Sequence, residues 1–308
     1  MIWLIVLASV LLFLIIVFFI ALYILYRFSF YSPHKDQKDD YSLLDASCFR
    51  KYKDDVIKMI DAFVEKPFED VYCQSFDNLK LHGRYYKINE SNKLALMFHG
   101  YRGTARRDFC GGSRQMMELG YNVLIVDHRG HGSSEGHSIT FGVRESKDVV
   151  SWFNYAKERF GQNTEIILVG ISMGGATVLG ACDKVGDNVK VIADCPYTTP
   201  KAILSATLKK MKLSPKIFYP IVNLSSIIFG HTNLNKMSAF EAVKNTNNKI
   251  LILHGDSDSV VPHYISEELY KAYPDKVQYE LFPGADHGVS YMTNPDRYKK
   301  VVSDFLKH

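Results

Sequence analysis

Apolar residues follow three different patterns along this chain, and each pattern predicts a different kind of segment. Residues 2–26 form one apolar run without a charged side chain, long enough for the helix of about 20 residues that crosses a bilayer. Between residues 52 and 65, apolar side chains recur at helical spacing and predict an amphipathic helix that stops before Pro67. From residue 71 onward, short apolar runs alternate with helical stretches, which is typical of a sheet covered by helices.

The alternating part of the chain predicts a mostly parallel α/β sheet with helices on both faces. It opens with an antiparallel hairpin, in which residues 71–76 and 79–88 are joined through Asp77 and Asn78. Further strands are predicted at residues 94–98, 123–126, 166–169, 189–193, 250–253 and 277–281. Helices are predicted at residues 108–119, 143–159, 174–184, 264–273 and 296–306. Such sheets bind ligands at the carboxyl ends of their strands, and the candidate residues below lie at those ends.

The apolar run near the N-terminus is interpreted as a membrane anchor. Trp3 lies near one of its ends and Tyr23 and Tyr26 near the other, where aromatic side chains meet the two membrane–water interfaces. A cleaved signal peptide is the alternative interpretation. It is disfavoured because the run has no basic residues before it, no small-x-small cleavage site after it and too long an apolar core.

Basic residues predict how the anchor is oriented. Arg27, Lys35 and Lys38 follow the run, so the positive-inside rule places the C-terminal part of the chain in the cytoplasm. We therefore predict a single-pass protein of the cell membrane. Its predicted parts are an anchor over residues 1–27, a tether and amphipathic helix over 28–67, and a large domain over 68–308.

Composition narrows the possible partners. The formal net charge is +4 and the basic residues are scattered, so the sequence does not predict binding to nucleic acid. The five cysteines are widely spaced without a C-x-x-C pair, which argues against a disulfide framework and a zinc ribbon. The sequence has no glycine-rich phosphate loop and no dinucleotide-binding fingerprint, and we predict no cofactor.

The strongest sign of a catalytic site is Gly170-Ile-Ser-Met-Gly174, a G-x-S-x-G pattern between a predicted strand and a predicted helix. A serine on so abrupt a turn is held in a strained backbone conformation that exposes its hydroxyl above the sheet. The two glycines are expected where strand and helix approach too closely for a side chain. Ser172 is therefore the predicted nucleophile.

A serine nucleophile needs a base, and the base needs a carboxylate that orients it. His287, between the last strand and the last helix, is the predicted base; His254 is its rival, for which a structural role is preferred. Asp258 is the predicted carboxylate because it lies deeper in its loop than Asp256, which we expect to brace the turn. Asp286 adjoins the histidine but is expected to point away from its ring, in a solvated or turn-stabilising role.

An oxyanion formed by attack on a carbonyl needs two N–H donors. Met173 follows the nucleophile at the start of a helix, and its N–H is one predicted donor. The turn after the first parallel strand supplies the other, the Tyr101 N–H, because Gly100 and Gly103 allow a tight backbone there. The Tyr101 side chain is expected to line the pocket, and Arg102 is expected on the surface rather than at an acidic substrate group.

The H-x-x-H pair of His128 and His131, with His137 nearby, is a possible metal site. However, no third ligand is strongly placed, and the glycines around the pair suit a tight loop better than metal coordination. We therefore predict no metal.

Taken together, these motifs resemble the α/β-hydrolase superfamily, within it the branch of monoacylglycerol lipases, esterases and serine-aminopeptidase-like proteins. The resemblance covers about residue 68 to the C-terminus. It rests on His99-Gly100, Asp127-His-Arg-Gly-His-Gly132, the G-x-S-x-G pattern, the run from His254 to Val261, and His287. The layout is similar to small bacterial membrane-anchored hydrolases. It implies an eight-stranded sheet with an antiparallel second strand, and a helical lid after the sixth strand, here over about residues 198–247.

The predicted lid mixes apolar residues with lysines. Its apolar side chains predict helices packed over the sheet, and the sharper interpretation is a lid whose apolar underside covers an acyl pocket. On this interpretation its basic side faces anionic lipid beside the anchor.

The resemblance and the motifs predict a membrane-anchored serine hydrolase that cleaves carboxylic esters or thioesters, including lipid-like substrates, through an acyl-enzyme. A serine peptidase or acyltransferase is one alternative, since the same three side chains would act with a different acceptor. A non-catalytic binding scaffold is the other, because a fold alone does not establish a function. The combination of nucleophile, base, carboxylate and oxyanion loop argues against the scaffold.

Overall fold

The computed structural model describes residues 1–32, 41–45 and 48–307. Eight strands form one sheet. In chain order they are β1 (Glu69–Gln74), β2 (Lys80–Tyr86), β3 (Lys93–Phe98), β4 (Asn122–Val126), β5 (Glu165–Ile171), β6 (Lys190–Asp194), β7 (Ile250–Gly255) and β8 (Val277–Phe282). Their spatial order is β1-β2-β4-β3-β5-β6-β7-β8. β2 runs antiparallel to the other seven strands of this sheet, so the predicted mostly parallel sheet with an antiparallel second strand is confirmed.

Helices connect the strands and precede them. They are α1 (Ile2–Ser29), α2 (Lys53–Val64), α3 (Ala105–Phe109), α4 (Gly112–Glu118), α5 (Glu145–Phe160), α6 (Met173–Ala181), α7 (Pro200–Lys210), α8 (Pro215–Gly230), α9 (Ala239–Lys244), α10 (Tyr264–Ala272), α11 (Ser290–Thr293) and α12 (Pro295–Lys307). The predicted amphipathic helix before the sheet corresponds to α2, which buries Val56, Ile60 and Phe63.

Alternating side chains of the central strands supply two hydrophobic layers. On β3, Leu94, Leu96 and Phe98 belong to one layer, and Ala95 and Met97 belong to the other, as the two-residue repeat of a strand requires. Residues of α5, α6, α9 and α10 complete the first layer, and residues of α2, α3, α4 and α12 complete the second. Because helices cover both faces of the sheet, the central strands are buried on both sides and read as continuous apolar runs in the sequence. The hydrophobic pattern could locate these strands for that reason.

The structure divides the helix predicted at residues 108–119 into α3 and α4. Thr104 caps α3, because its side-chain oxygen accepts a hydrogen bond from the Arg107 N–H at 3.3 Å. The chain bends at Gly111, where a Cβ atom would lie 2.9 Å from the ring of Tyr291. The spacing of apolar residues continues from α3 into α4. A prediction from periodicity alone therefore gave one helix where the structure has two.

The N-terminal helix α1 is long and apolar enough to span a membrane, with a mean hydropathy of 3.4. Most of its side chains are exposed, but Leu22 and Tyr26 are buried against the rest of the protein. Residues 30–32, which the sequence assigned to the tether, also pack on the domain: Phe30 is buried and Tyr31 forms a β-bridge with Ser138. The rest of the predicted tether, residues 33–40, lies outside the described residues.

Helices α7, α8 and α9 fill the connection between β6 and β7, where the sequence predicted a lid. α8 packs against the end of α1. The ring of Phe229 lies 5.2 Å from that of Tyr23 and 6.0 Å from that of Tyr26, measured between centroids. The insertion therefore joins the N-terminal helix to the sheet.

A buried arginine ties the β1–β2 hairpin to α5. Arg129 donates from Nε and Nη2 to the Asp148 carboxylate at 2.7 and 2.6 Å, and from Nη1 and Nη2 to the Asp77 carboxylate at 2.9 and 3.0 Å. Two-point pairing of this kind is strong and geometrically specific. Only 2% of the Arg129 side chain is exposed, so its loss would leave Asp148 as an unpaired buried charge.

We expect Arg129→Met to lower the free energy of unfolding by about 3–5 kcal/mol, the cost of removing one partner of a buried ion pair. Arg114→Met is the matched control, because Arg114 forms an exposed pair with Glu118 and its loss should cost less than about 1 kcal/mol. Urea titrations of the full chain in detergent, followed by near-ultraviolet circular dichroism, measure both. Equal stabilities of the two variants would contradict this role for Arg129.

Candidate active site

The turn from β5 into α6 holds Ser172 in a strained conformation. Its φ of 54° and ψ of −115° are outside the regions that residues with side chains usually occupy. Close approach of the backbones explains the turn: a Cβ on Gly170 would overlap the carbonyl of Gly174, and a Cβ on Gly174 would overlap the carbonyl of Phe98. The expected reason for both glycines is confirmed.

Three side chains distant in sequence form one hydrogen-bonded row. Nε2 of His287 lies 2.9 Å from Oγ of Ser172, and Nδ1 of His287 lies 2.8 Å from Oδ2 of Asp258. The carboxylate therefore accepts from Nδ1–H, which leaves Nε2 to accept the serine proton. The side chain of Asp258 is fully buried and that of His287 is 14% exposed, so water hardly competes for these bonds.

The Asp258 carboxylate is kept ionised by its partners. Burial by itself opposes ionisation, but hydrogen bonds from His254 and His287 outweigh burial and hold the pKa of this carboxyl well below its usual value. Its second oxygen accepts from the N–H groups of Val260 and Val261 at 2.8 and 2.7 Å. Four contacts thus fix its position.

His254 lies beneath the carboxylate and supports the loop. Its Nε2 is 3.2 Å from Oδ2 of Asp258 and 2.9 Å from the carbonyl oxygen of Val261. Both neighbours are acceptors, so Nε2 carries a proton, and Nδ1 faces the Ser266 hydroxyl at 2.7 Å. These contacts fit the structural role preferred for this histidine.

The other two aspartates near the base brace turns. Asp256 accepts from the Gly284 N–H at 2.7 Å. Asp286 accepts from the N–H groups of Ser259 and His287, both at 2.7 Å. Neither contacts the imidazole ring through these bonds, in agreement with the roles expected from the sequence.

The environment of His287 favours its protonated form. Burial lowers the pKa of an imidazole, but the hydrogen bond and the charge of Asp258 outweigh burial, and the pKa of His287 is raised above its ordinary value. An imidazolium formed by taking a proton from Ser172 is therefore stabilised.

Residues 99–104, which we call the oxyanion loop, follow β3 beside the nucleophile. A Cβ on Gly100 would lie 3.4 Å from Cβ of Ser172. The Gly100 N–H donates to Oδ2 of Asp108 at 2.8 Å, and the Arg102 N–H donates to Nε2 of His131 at 3.1 Å. Between them, the Tyr101 N–H donates to no atom of the residues that the structure describes.

The Met173 N–H is the second amide without an acceptor within the described ranges. It belongs to the first turn of α6, where helix geometry provides no intrahelical partner for N–H groups and the helix dipole is positive. Two such amides beside a serine hydroxyl suit the binding of a developing oxyanion.

His128 and His131, the H-x-x-H pair of the possible metal site, form a neutral cluster with His99. His99, His128 and His131 are buried, with ring centroids of 4.7–4.8 Å from His99 to each of the others. Burial lowers the pKa of all three, that of His131 to about 3. His131 therefore acts as a hydrogen-bond acceptor for the oxyanion loop, a role that sequence analysis missed although its H-x-x-H spacing marked the residue.

One group of potential metal ligands occurs in the described part of the chain. The ligand atoms of Cys195, Asp258 and His287 all lie within 4.8 Å of one another. Burial raises the pKa of the Cys195 thiol well above its usual value, so the protonated thiol is a poor metal ligand. A metal there would also compete with Ser172 for the imidazole.

A mostly apolar cavity of about 70 Å³ lies beside the candidate site. Its lining includes Ile171, which precedes Ser172, and Gly288, which follows His287. Asp194 lies in its wall and accepts from the Tyr298 hydroxyl at 2.9 Å, and burial raises the pKa of this carboxyl to about 6. Ligand pockets usually measure about 300–1,000 Å³. In this conformation the cavity therefore admits only a slim group.

Comparison with known proteins agrees with this fold. Residues 89–237 match the family described as serine aminopeptidase, S33, a span that includes β3, the oxyanion loop and the turn at Ser172. The eight-stranded sheet with an antiparallel second strand is that expected from the resemblance. The chain has the α/β-hydrolase fold.

Several curated relatives align with much of the chain. YqkD of Bacillus subtilis is 29% identical over 195 residues, which cover 62% of this chain and 63% of that protein. A Danio rerio protein described as lysophosphatidylserine lipase ABHD12 is 24% identical over 239 residues, covering 71% of this chain and 59% of that protein. The chain thus spans less than two thirds of the length of both.

A solved structure extends the likeness in fold. The Pyrococcus furiosus esterase Pf2001 is 23% identical, with a TM-score of 0.64 over 80% of this chain and 92% of that one. At this identity the likeness concerns the α/β-hydrolase fold itself.

Proposed function

We propose that this protein is a serine hydrolase that cleaves carboxylic esters or thioesters through an acyl-enzyme. The observation that carries the proposal is the continuous row of hydrogen bonds from Ser172 through His287 to Asp258. Among the residues that the structure describes, the Tyr101 and Met173 amides beside it have no acceptor, and we assign both to the oxyanion. A nucleophile, a base, an orienting carboxylate and oxyanion donors are the parts that acyl transfer requires.

In the proposed mechanism, Ser172 Oγ attacks the substrate carbonyl carbon while its proton passes to Nε2 of His287. The Asp258 carboxylate stabilises the imidazolium, and the Tyr101 and Met173 N–H groups bind the oxyanion. When this intermediate collapses, the bond to the leaving oxygen or sulfur breaks and His287 protonates the leaving group. Water then attacks the acyl carbon and gives a proton to His287. The second collapse releases the carboxylic acid, and the same proton restores the serine hydroxyl.

Lipid-like esters are the proposed substrate class. The insertion carries an exposed apolar stripe on α8 that includes Ile217, Leu224 and Ile227, and exposed lysines precede it at positions 209, 210, 212 and 216. An apolar stripe with cations beside it suits an anionic membrane surface. The Danio rerio relative is described as a lysophosphatidylserine lipase, which supports an amphiphilic ester as the substrate.

The helix α1 is proposed to anchor the protein in the cell membrane as a single span. Its length and hydropathy support this role. Arg27 lies in its last turn, and Lys35 and Lys38 follow it in the sequence. These basic residues favour a cytoplasmic hydrolase domain by the positive-inside rule.

Peptide bond cleavage is the second candidate function, because the matching family is described as serine aminopeptidase. The same row of side chains would attack an amide carbonyl and protonate an amine leaving group. Parallel assays with p-nitrophenyl esters and amino-acid p-nitroanilides distinguish the two reactions.

Ser172→Ala is expected to abolish labelling by a fluorophosphonate probe and to lower ester turnover by about 10⁴-fold or more, since the attacking oxygen is absent. Ser151→Ala on α5 is the control, and its labelling should equal that of the native chain. In-gel fluorescence and p-nitrophenyl butyrate hydrolysis measure these effects. Persistent labelling of Ser172→Ala would show that another residue is the nucleophile.

The pH dependence of kcat/KM should report on His287, which accepts a proton only when neutral. Because Asp258 raises its pKa, activity should fall on acidification with a midpoint above the ordinary histidine value of about 6.5. Asp258→Asn removes the charge, so the midpoint should move to lower pH and kcat should fall by about 10⁴-fold. Asp256→Asn should leave the midpoint unchanged. A midpoint that does not respond to Asp258→Asn would contradict this pairing.

The lipid proposal predicts a preference for long acyl chains that depends on a membrane. The full chain in vesicles with anionic lipid should cleave long-chain p-nitrophenyl esters severalfold faster than in zwitterionic vesicles, because cations attract the anionic surface. Leu224→Asp should reduce only the long-chain rate. Equal cleavage of short and long esters, with and without membrane, would refute the proposal.

A further inference from the structure

We infer that the C-terminal end of α1 positions the oxyanion loop, so that the N-terminal helix supports the active site as well as anchoring the chain. Arg102 and Tyr101 are the positioning residues, through their side chains. The inference rests on the proposed function, which assigns the Tyr101 N–H to the oxyanion.

The contacts join loop side chains to carbonyl groups at the end of α1. Nη2 of Arg102 donates to the Phe28 carbonyl at 2.8 Å and to the Tyr31 carbonyl at 3.3 Å. The Tyr101 hydroxyl donates to the Ser29 carbonyl at 2.9 Å. The last carbonyls of a helix have no intrahelical partner and carry its negative dipole end. A guanidinium and a phenol hydroxyl therefore complement this helix end both in hydrogen bonding and in charge.

The loop needs such support because its backbone is strained. Arg102 has a φ of 50°, a left-handed conformation that is costly for a residue with a side chain. Strain of this kind persists only where the surroundings hold it. Arg102 is held on both sides, by its N–H bond to neutral His131 and by its side chain at the end of α1. The adjoining Tyr101 N–H is oriented by the same short stretch of backbone.

A row of aromatic rings makes a second connection. The Tyr101 ring is stacked on Phe141 at 5.1 Å between centroids, and Phe141 meets Phe30 edge to face at 5.7 Å. Phe30 is 1% exposed. A shift of the α1 end would therefore be transmitted to Tyr101 through packed side chains as well as through hydrogen bonds.

The end of α1 is itself fixed to the domain at points outside the loop. The Tyr26 hydroxyl lies 2.5 Å from Oγ of Ser138, and the Ile139 N–H donates to the Phe30 carbonyl at 2.7 Å. The Ser32 N–H donates to the His137 carbonyl at 2.9 Å. The helix end is thus a fixed support and does not simply follow the loop.

Arg102→Met and Tyr101→Phe, made in the full chain in detergent, test the inference with p-nitrophenyl butyrate, a soluble ester whose delivery does not require a membrane. Each should lower kcat by about tenfold while KM stays within about twofold, because the oxyanion donor is misplaced and not removed. Outright removal of a donor costs about 10²–10³-fold. Arg102→Lys retains a cation that reaches the carbonyls and should recover most of kcat.

Arg144→Met is the matched control. Arg144 also donates to a carbonyl at a helix end, that of His231 after α8, at 3.0 Å. The same substitution there should leave kcat within about twofold. Hydrogen–deuterium exchange of residues 99–104 gives a readout independent of activity, and it should rise in Arg102→Met but not in Arg144→Met.

The possible outcomes separate the two proposals. An active, probe-labelled native chain with unchanged kcat in Arg102→Met and Tyr101→Phe would overturn the positioning role and leave the hydrolase proposal standing. A raised KM with unchanged kcat would also overturn it, by making Arg102 a substrate-binding residue. A native chain that neither labels nor cleaves esters would refute the hydrolase proposal. If the native chain is inactive, hydrogen–deuterium exchange still tests the second proposal. Unchanged exchange of residues 99–104 in Arg102→Met would then refute the claim that the end of α1 supports the oxyanion loop.

Discussion

The close backbone contact around Ser172 is the constraint on which the rest of the site depends. Gly174 lies so near the Phe98 carbonyl that no Cβ fits between them, which brings the start of α6 against the end of β3. The loop after β3 is therefore beside Ser172, and a Cβ on Gly100 would lie 3.4 Å from Cβ of Ser172. The strained φ of Ser172 persists because the surrounding backbone leaves no room for relaxation.

The buried histidines of this protein are of two kinds, which differ in their electrostatic environment. Desolvation dominates at His99 and His131, so their pKa values fall and both rings remain neutral. His99 lies in the oxyanion loop, and His131 accepts a hydrogen bond from it. His287 is also buried, but its pKa is raised because Asp258 pairs with it. Direct contact with one ionised carboxylate reverses the effect of burial. The same residue type thus serves as a structural acceptor in one place and suits proton transfer in another.

The N-terminal helix is integrated into the architecture of the domain. Its terminal carbonyls accept hydrogen bonds from Tyr101 and Arg102, and its last turn contacts α8 of the insertion through Tyr23, Tyr26 and Phe229. A segment apolar enough to span a membrane therefore ends within hydrogen-bond reach of the oxyanion loop. This arrangement links the N-terminal helix, the insertion and the candidate site through packed side chains.

Sequence by itself determined the order of strands and helices, the antiparallel hairpin and the turn at Ser172. Buried parallel strands are continuous apolar runs, and a G-x-S-x-G turn needs its glycines in fixed positions, so both leave local signals. The sequence also predicted His287 as the base and Asp258 as its carboxylate, from their loop positions and their order in the chain. Only the tertiary structure decided that these side chains meet, that His131 supports the oxyanion loop and that residues 30–32 pack on the domain. Those contacts join residues that are far apart in the chain. Neither hydrophobic periodicity nor a local motif can predict which distant backbone carbonyl a side chain will contact.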